Sequence, residues 1–160
     1  MSRAWFFPSA LAAFAALAVA TLGMTITDLG PWYRSLAQPG WAPPDPLYGA
    51  AWTAIFALTA GSGVLAWAAA PSRSALETLI GLFALNGFLN VLWSLLFFQF
   101  RRPDWALFEL VLLWGSIVAL ILVVSRHSRP AAWLLLPYLA WVSFAGVLNG
   151  EIVRLNGAFG

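Results

Sequence analysis

Five long apolar runs alternate with polar breaks along this chain, and the breaks carry nearly all of its charge. The runs cover residues 5–27, 47–70, 76–99, 105–125 and 131–153. Each is long enough to cross hydrocarbon as a helix, which takes about 20 residues. They are continuously apolar, whereas strands of a membrane barrel alternate apolar and polar residues. The pattern therefore predicts an all-α membrane protein: one domain over residues 1–160, built as a five-transmembrane-helix bundle. The last three breaks are Pro71-Ser72-Arg73-Ser74, Arg101-Arg102-Pro103-Asp104 and Arg126-His127-Ser128-Arg129-Pro130. They are tight, so helices from the second onward are expected to be antiparallel neighbours. Ser74 with Glu77 reads as a capping box opening the third helix, and Pro103 and Pro130 suit helix starts. The first run follows Arg3 with the Ala-rich spacing of a secretory leader, but it extends to about Thr27 and is read as a retained helix.

The first break is different. It is long, and residues 32–56 hold three Trp, two Tyr, one Phe and four Pro. Proline fixes its own φ and restricts the residue before it, so this aromatic and proline-rich loop between helices 1 and 2 is expected to have a defined shape. Trp and Tyr offer a large apolar face with one polar handle each. Such a loop reads either as a lid over a cavity or as an interfacial aromatic belt.

Polar residues inside the runs fall in register. On the third run Asn86, Asn90, Trp93 and Phe97 follow i, i+4, i+7, i+11, one helical face. On the fifth, Tyr138, Trp141, Ala145 and Asn149 follow i, i+3, i+7, i+11; on the second, Tyr48, Trp52, Phe56 and Thr59 form a third stripe. Polar groups in a span face the bundle interior. Three stripes of rings with amides and hydroxyls suit the wall of a ligand pocket. The plainer reading is interhelical glue worth ~1 kcal/mol per bond. Gly146 and Gly150 form a GxxxG, and Gly115 with Ala119 a small-xxx-small pair; both permit close helix approach within one chain or between two.

Composition narrows the chemistry. The chain is 62% hydrophobic and 9% charged, with a mean hydropathy of +0.84, values of an integral multi-pass membrane protein. All eight basic residues are Arg, scattered among the breaks, so no nucleic-acid surface is expected. Four fall on each side of the membrane, which assigns no orientation. The absence of Cys excludes disulfides and thiolate chemistry. His127 is read as a turn residue, and Glu109 and Glu151 as snorkelling carboxylates. Paired carboxylates, a Ser/His/Asp set and a phosphate-binding glycine loop are all missing, so no catalytic residue, metal or required cofactor is assigned.

Together the segments carry specific motifs. Trp32-Tyr33, Leu36, Pro39, Trp41, Pro43-Pro44 and Trp52 form a WYxxLxxPxWxPP…W pattern. Asn90 to Trp93 with Phe97-Phe98 gives NxxW…FF, and Pro137-Tyr138-Leu-Ala-Trp141, Ala145, Leu148-Asn149 and Arg154-Leu155-Asn156 follow on the fifth run. Over nearly the whole chain this resembles the translocator protein family, also called tryptophan-rich sensory protein or peripheral benzodiazepine receptor. The resemblance implies five transmembrane helices, usually as a homodimer in membrane lipid. It also implies a pocket beneath the first loop for porphyrins and for isoquinoline or benzodiazepine-type ligands, with Trp41, Trp52, Asn90, Trp93, Trp141 and Ala145 at pocket or lid positions. The full candidate set adds Tyr33, Tyr48, Phe56, Asn86, Phe97, Tyr138 and Asn149. A receptor or sensor for protoporphyrin IX or haem is expected; the alternatives are light-dependent porphyrin breakdown and transport of a lipophile. Three departures stand out. Gln38 stands where the family often has Lys, Ala42 where animal members have His, and Gly150 leaves the sterol-recognition stretch without its Tyr. The Ala-rich, Lys-free composition fits a bacterial member.

Overall fold

The computed structural model describes residues 3–157 and 159. Its elements are α1 (Arg3–Ile26), α2 (Pro31–Ser35), α3 (Asp45–Ala69), α4 (Arg73–Ser94), a π-helical turn (Leu95–Gln99), α5 (Pro103–Ser125), α6 (Arg129–Trp133) and α7 (Leu136–Asn156). Five segments are long and apolar enough to cross a membrane: Trp5–Ile26, Asp45–Ala69, Arg73–Gln99, Pro103–Ser125 and Arg129–Asn156. The all-α bundle predicted from the runs is therefore the architecture of the described residues.

Local chemistry sets the boundaries, in places differently from the sequence reading. The third span starts three residues earlier than expected. Ser72, not Ser74, is its N-cap and accepts from the Ala75 N–H at 3.2 Å. Glu77 turns instead to Arg73 at 3.0 Å on an exposed face. The fifth run is not one helix. It breaks after Trp133 and restarts at Leu136, because Pro137 has no N–H and its ring clashes with the carbonyl four residues back. Ser128 caps the short α6 through the Ala131 N–H. The loop between the first two spans includes the short helix α2, opened by Pro31.

Among the packed helices α5 is central: α4 and α7 flank it, and α6 crosses its far end. α1 lies against α3 and α4. Three tiers of buried residues stack along the bundle. Leu36, Phe97, Leu148 and Ile152 form the loop end. Ile55, Leu89, Leu113, Tyr138 and Val142 form the middle. Ala66, Leu79, Leu120 and Leu135 form the opposite end. In lipid, such contacts hold by close packing rather than by excluding water. Gly146 serves that packing within the chain, since a Cβ there would sit 3.0 Å from the Leu110 side chain. Gly87 does so toward α1, with Val19 at 3.1 Å.

Candidate functional site

A cavity of about 510 Å³ opens between α1, α3 and α4. Ala12, Ala15, Ala16 and Val19 supply the α1 wall; they recur at i, i+3, i+4 and i+7, one face of small side chains. Gly63 on α3 and Ala84 and Gly87 on α4 keep the other walls low. The space exists because these residues are too small to fill it. Its lining holds no charged residue. Polar groups gather on the inner wall, where Thr59, Asn86, Asn90 and Tyr138 lie beside Phe56. Outward, Leu11, Leu22, Ile80 and Phe88 are exposed and line the mouth between α1 and α4.

The inner wall is a small hydrogen-bonded network. Asn90 donates to Tyr138 Oη at 3.2 Å. Asn86 donates to Ser116 Oγ at 2.8 Å, and Ser116 Oγ donates in turn to the Leu113 carbonyl at 2.7 Å. Asn86, Asn90 and Tyr138 are all buried. Thr59 Oγ1 is buried without a partner in the protein.

From this wall an aromatic column runs to the loop. Trp52 stacks on Phe56 at 5.4 Å and meets Tyr138 edge-on at 6.0 Å. Tyr48 contacts Trp141, Trp141 contacts Phe144, and Phe144 contacts Trp41 of the loop, all within 5.9 Å. The column is shut. A void of about 10 Å³ lies along it, enclosed by Trp52, Trp93, Leu110, Leu113, Val142 and Ala145. Tyr48 Oη and Trp93 Nε1 are buried there without protein partners, which is uncommon for buried polar groups in native proteins.

The sequence-derived set thus divides among four places. Phe56, Asn86, Asn90 and Tyr138 line the cavity. Tyr48, Trp52, Trp93, Trp141 and Ala145 belong to the closed column or its void. Tyr33, Trp41 and Phe97 hold the loop down, Tyr33 against Phe98 at 5.8 Å and Phe97 against Trp32 at 6.1 Å. Asn149 lies elsewhere: its amide bridges the first turn of α5, donating to the Pro103 carbonyl at 3.1 Å and accepting from the Leu107 N–H at 3.2 Å. Glu109 does not snorkel. It is 4% exposed, and both its oxygens lack partners, because it shares the α5 face of Ser116, two turns away, which is turned to α4. The small stripe of α1 went unread in the sequence, although its Ala spacing was the available signal.

Comparison with known proteins matches residues 10–155 to the TspO/MBR family. A tryptophan-rich protein TspO of Chlorobaculum tepidum is 39% identical over 142 residues, covering 88% of this chain and 90% of that protein. A translocator protein of Bos taurus is 38% identical over 127 residues, covering 78% and 75%. The CrtK protein of Rhodobacter capsulatus is 32% identical over 143 residues, 89% of each chain.

Proposed function

Since the chain belongs to the TspO/MBR family, we propose that it is a membrane receptor for a flat hydrophobic ligand, a tetrapyrrole such as protoporphyrin IX, held in the cavity between α1, α3 and α4. The observation that carries this reading is the cavity itself: about 510 Å³, apolar, with its few polar groups confined to one wall. That is the usual make-up of a small-molecule site. The macrocycle lies against Phe56 and the small residues of α1, while Asn86, Asn90 and Tyr138 offer hydrogen bonds to its edge. The lining offers no cation, so the propionates remain outside it. Isoquinoline and benzodiazepine-type ligands, flat and uncharged, suit the same space.

The test is a dark titration of purified protein with protoporphyrin IX, following Soret absorbance and Trp quenching, beside Ala84→Trp. Saturable micromolar binding, lost in the variant, supports the cavity. Equal binding by both proteins moves the site elsewhere, and no binding by the well-folded wild type removes the reading.

A second reading has one observation in its favour. Trp67 lines the cavity and Trp52 stacks on Phe56 in its wall, so indoles sit where a photo-excited macrocycle would draw an electron. Light-dependent breakdown of the bound ring by dioxygen would then rest on the ligand's own photochemistry. Illuminated complex yielding no new pigment product sinks this reading alone.

A further inference from the structure

Two approaches lead to the inner wall of the cavity. One is sideways, between α1 and α4, past the exposed apolar side chains of Leu11, Leu22, Ile80 and Phe88. The other comes from the loop end along the aromatic column, past the unpartnered Tyr48 Oη and Trp93 Nε1. A ligand carrying carboxylates is poorly served by the first, because taking ions through hydrocarbon is expensive. The second is closed at its top by the loop and below it by packed rings that cannot part while Trp41 rests on Phe144, so what holds the loop sets how often that approach can begin to open.

The hold has an apolar and a polar part. Leu36 is buried among Phe97, Leu148 and Ile152. Trp32 and Tyr33 rest on Phe97 and Phe98 of the π-helical turn. Such ring contacts tolerate a range of geometries. The polar part is specific. Asn156, the last residue of α7, accepts from the Ala37 N–H through Oδ1 at 2.8 Å and donates from Nδ2 to the Ala37 carbonyl at 2.9 Å. The same Nδ2 donates to the Ile152 carbonyl at 2.8 Å, which fixes the amide's direction. One side chain thus satisfies both backbone polar groups of one loop residue, 119 positions away. No ion pair among the described residues joins loop to bundle; all three are local, within two to four residues. Arg101 also lies over the Trp32 ring at 5.8 Å, a contact without hydrogen-bond direction, while Gln99 Nε2 to the Ile26 carbonyl at 2.8 Å holds the end of α1 rather than the lid.

We propose that Asn156 is the catch of a lid formed by residues 30–44, a positioning residue that sets how fast a carboxylate-bearing ligand enters and leaves. The identity of the ligand rests on the receptor reading above; the catch does not. Released from Asn156, the loop swings on its proline-stiffened arm, Trp41 leaves Phe144, and the top of the column opens. Because the catch touches no ligand, its loss speeds entry and exit alike and leaves the affinity nearly unchanged.

The chain has no cysteine, so spin labels go cleanly on Ser35→Cys and Leu155→Cys, both exposed positions. The interlabel distance distribution is expected to be narrow in the otherwise native chain. Asn156→Ala is expected to broaden it toward longer distances, and Asn156→Asp, which keeps only the bond from the Ala37 N–H, to fall between. Ala37→Pro removes that N–H from the loop side and is expected to broaden it too, an independent route should the first variant fold poorly. Stopped-flow mixing with protoporphyrin IX is expected to show association and dissociation both faster by about tenfold in Asn156→Ala, what one to two net hydrogen bonds account for, with Kd within about threefold. An unchanged distance distribution overturns the catch. A broadened distribution with unchanged rates overturns its control of exchange and gives the traffic to the sideways approach. If the wild type binds no porphyrin, the receptor reading fails while the label distances still decide the catch.

Discussion

The two sides of this bundle meet the same polar wall and could hardly differ more. Toward α1 the neighbours are Ala12, Ala15, Ala16, Gly63 and Gly87, and the space stands open at about 510 Å³. Toward the loop and α7 the neighbours are Trp52, Trp93, Trp141 and Phe144, and about 10 Å³ remains. Small residues on a long helix cannot reach across a gap, whereas indoles tilt until edges meet faces. Openness in this fold is thus written in the small residues, and the tryptophans that dominate the sequence mark where it is closed.

Substitutions can break that contrast or sharpen it. Ala84→Trp brings an indole into the open side; loss of protoporphyrin affinity by about hundredfold or more is expected, with helicity retained by circular dichroism, since the indole fills space the ligand needs without crowding a packed core. Asn149→Leu tests the residue that belongs to neither side. It removes the bridge to Pro103 and Leu107, so a stability loss of about 2 kcal/mol is expected in denaturant titration, with Kd unchanged. A comparable loss of binding would return Asn149 to the site. Tyr138→Phe touches both sides at once. It removes the hydroxyl that Asn90 engages and keeps the ring against Trp52, so a Kd weaker by about fivefold is expected, of the order of one net hydrogen bond. The smallest effect is reserved for the ligand. Protoporphyrin IX dimethyl ester is expected to bind within about threefold of the free acid, because no cation lines the cavity; a much weaker ester would place an arginine at the site.

Much of this was legible in the order of residues. Continuous apolar runs bounded by Arg and Pro give the five spans directly, and helical spacing puts Asn86, Asn90, Phe56 and Tyr138 on inward faces. The same spacing also joined Trp93 and Phe97 to the Asn86 stripe. Trp93 does share that stripe's direction from the α4 axis, but Phe97 lies in the π-helical turn that shifts the phase, and the neighbours met change with depth, from α1 and Tyr138 near Asn86 to the loop near Phe97. Periodicity reports direction and is silent about what lies there. Asn149 shows the limit at one residue: a correct inward face, with α5 rather than a cavity opposite it. The break at Pro137 was available in principle from the proline alone. The Asn156 bonds were not, because a pairing across 119 residues leaves no local signal.

The π-helical turn at Leu95–Gln99 has one more consequence. A π turn is an α-helix with one residue too many, and each residue of an α-helix advances the azimuth by about 100°. The turn therefore acts as a phase shift between the membrane-buried part of the third span and its tip. It re-indexes Phe97 and Phe98 toward Trp32 and Tyr33, and brings Gln99 to Ile26. Ahead of it, Asn86 and Asn90 keep their own indexing. Deleting a single residue between 95 and 99 would restore a regular helix, leave the buried stripe untouched, and turn the whole docking platform of the loop away by about a quarter of a revolution. In this chain the register of the lid and the register of the wall are set independently, by one inserted residue.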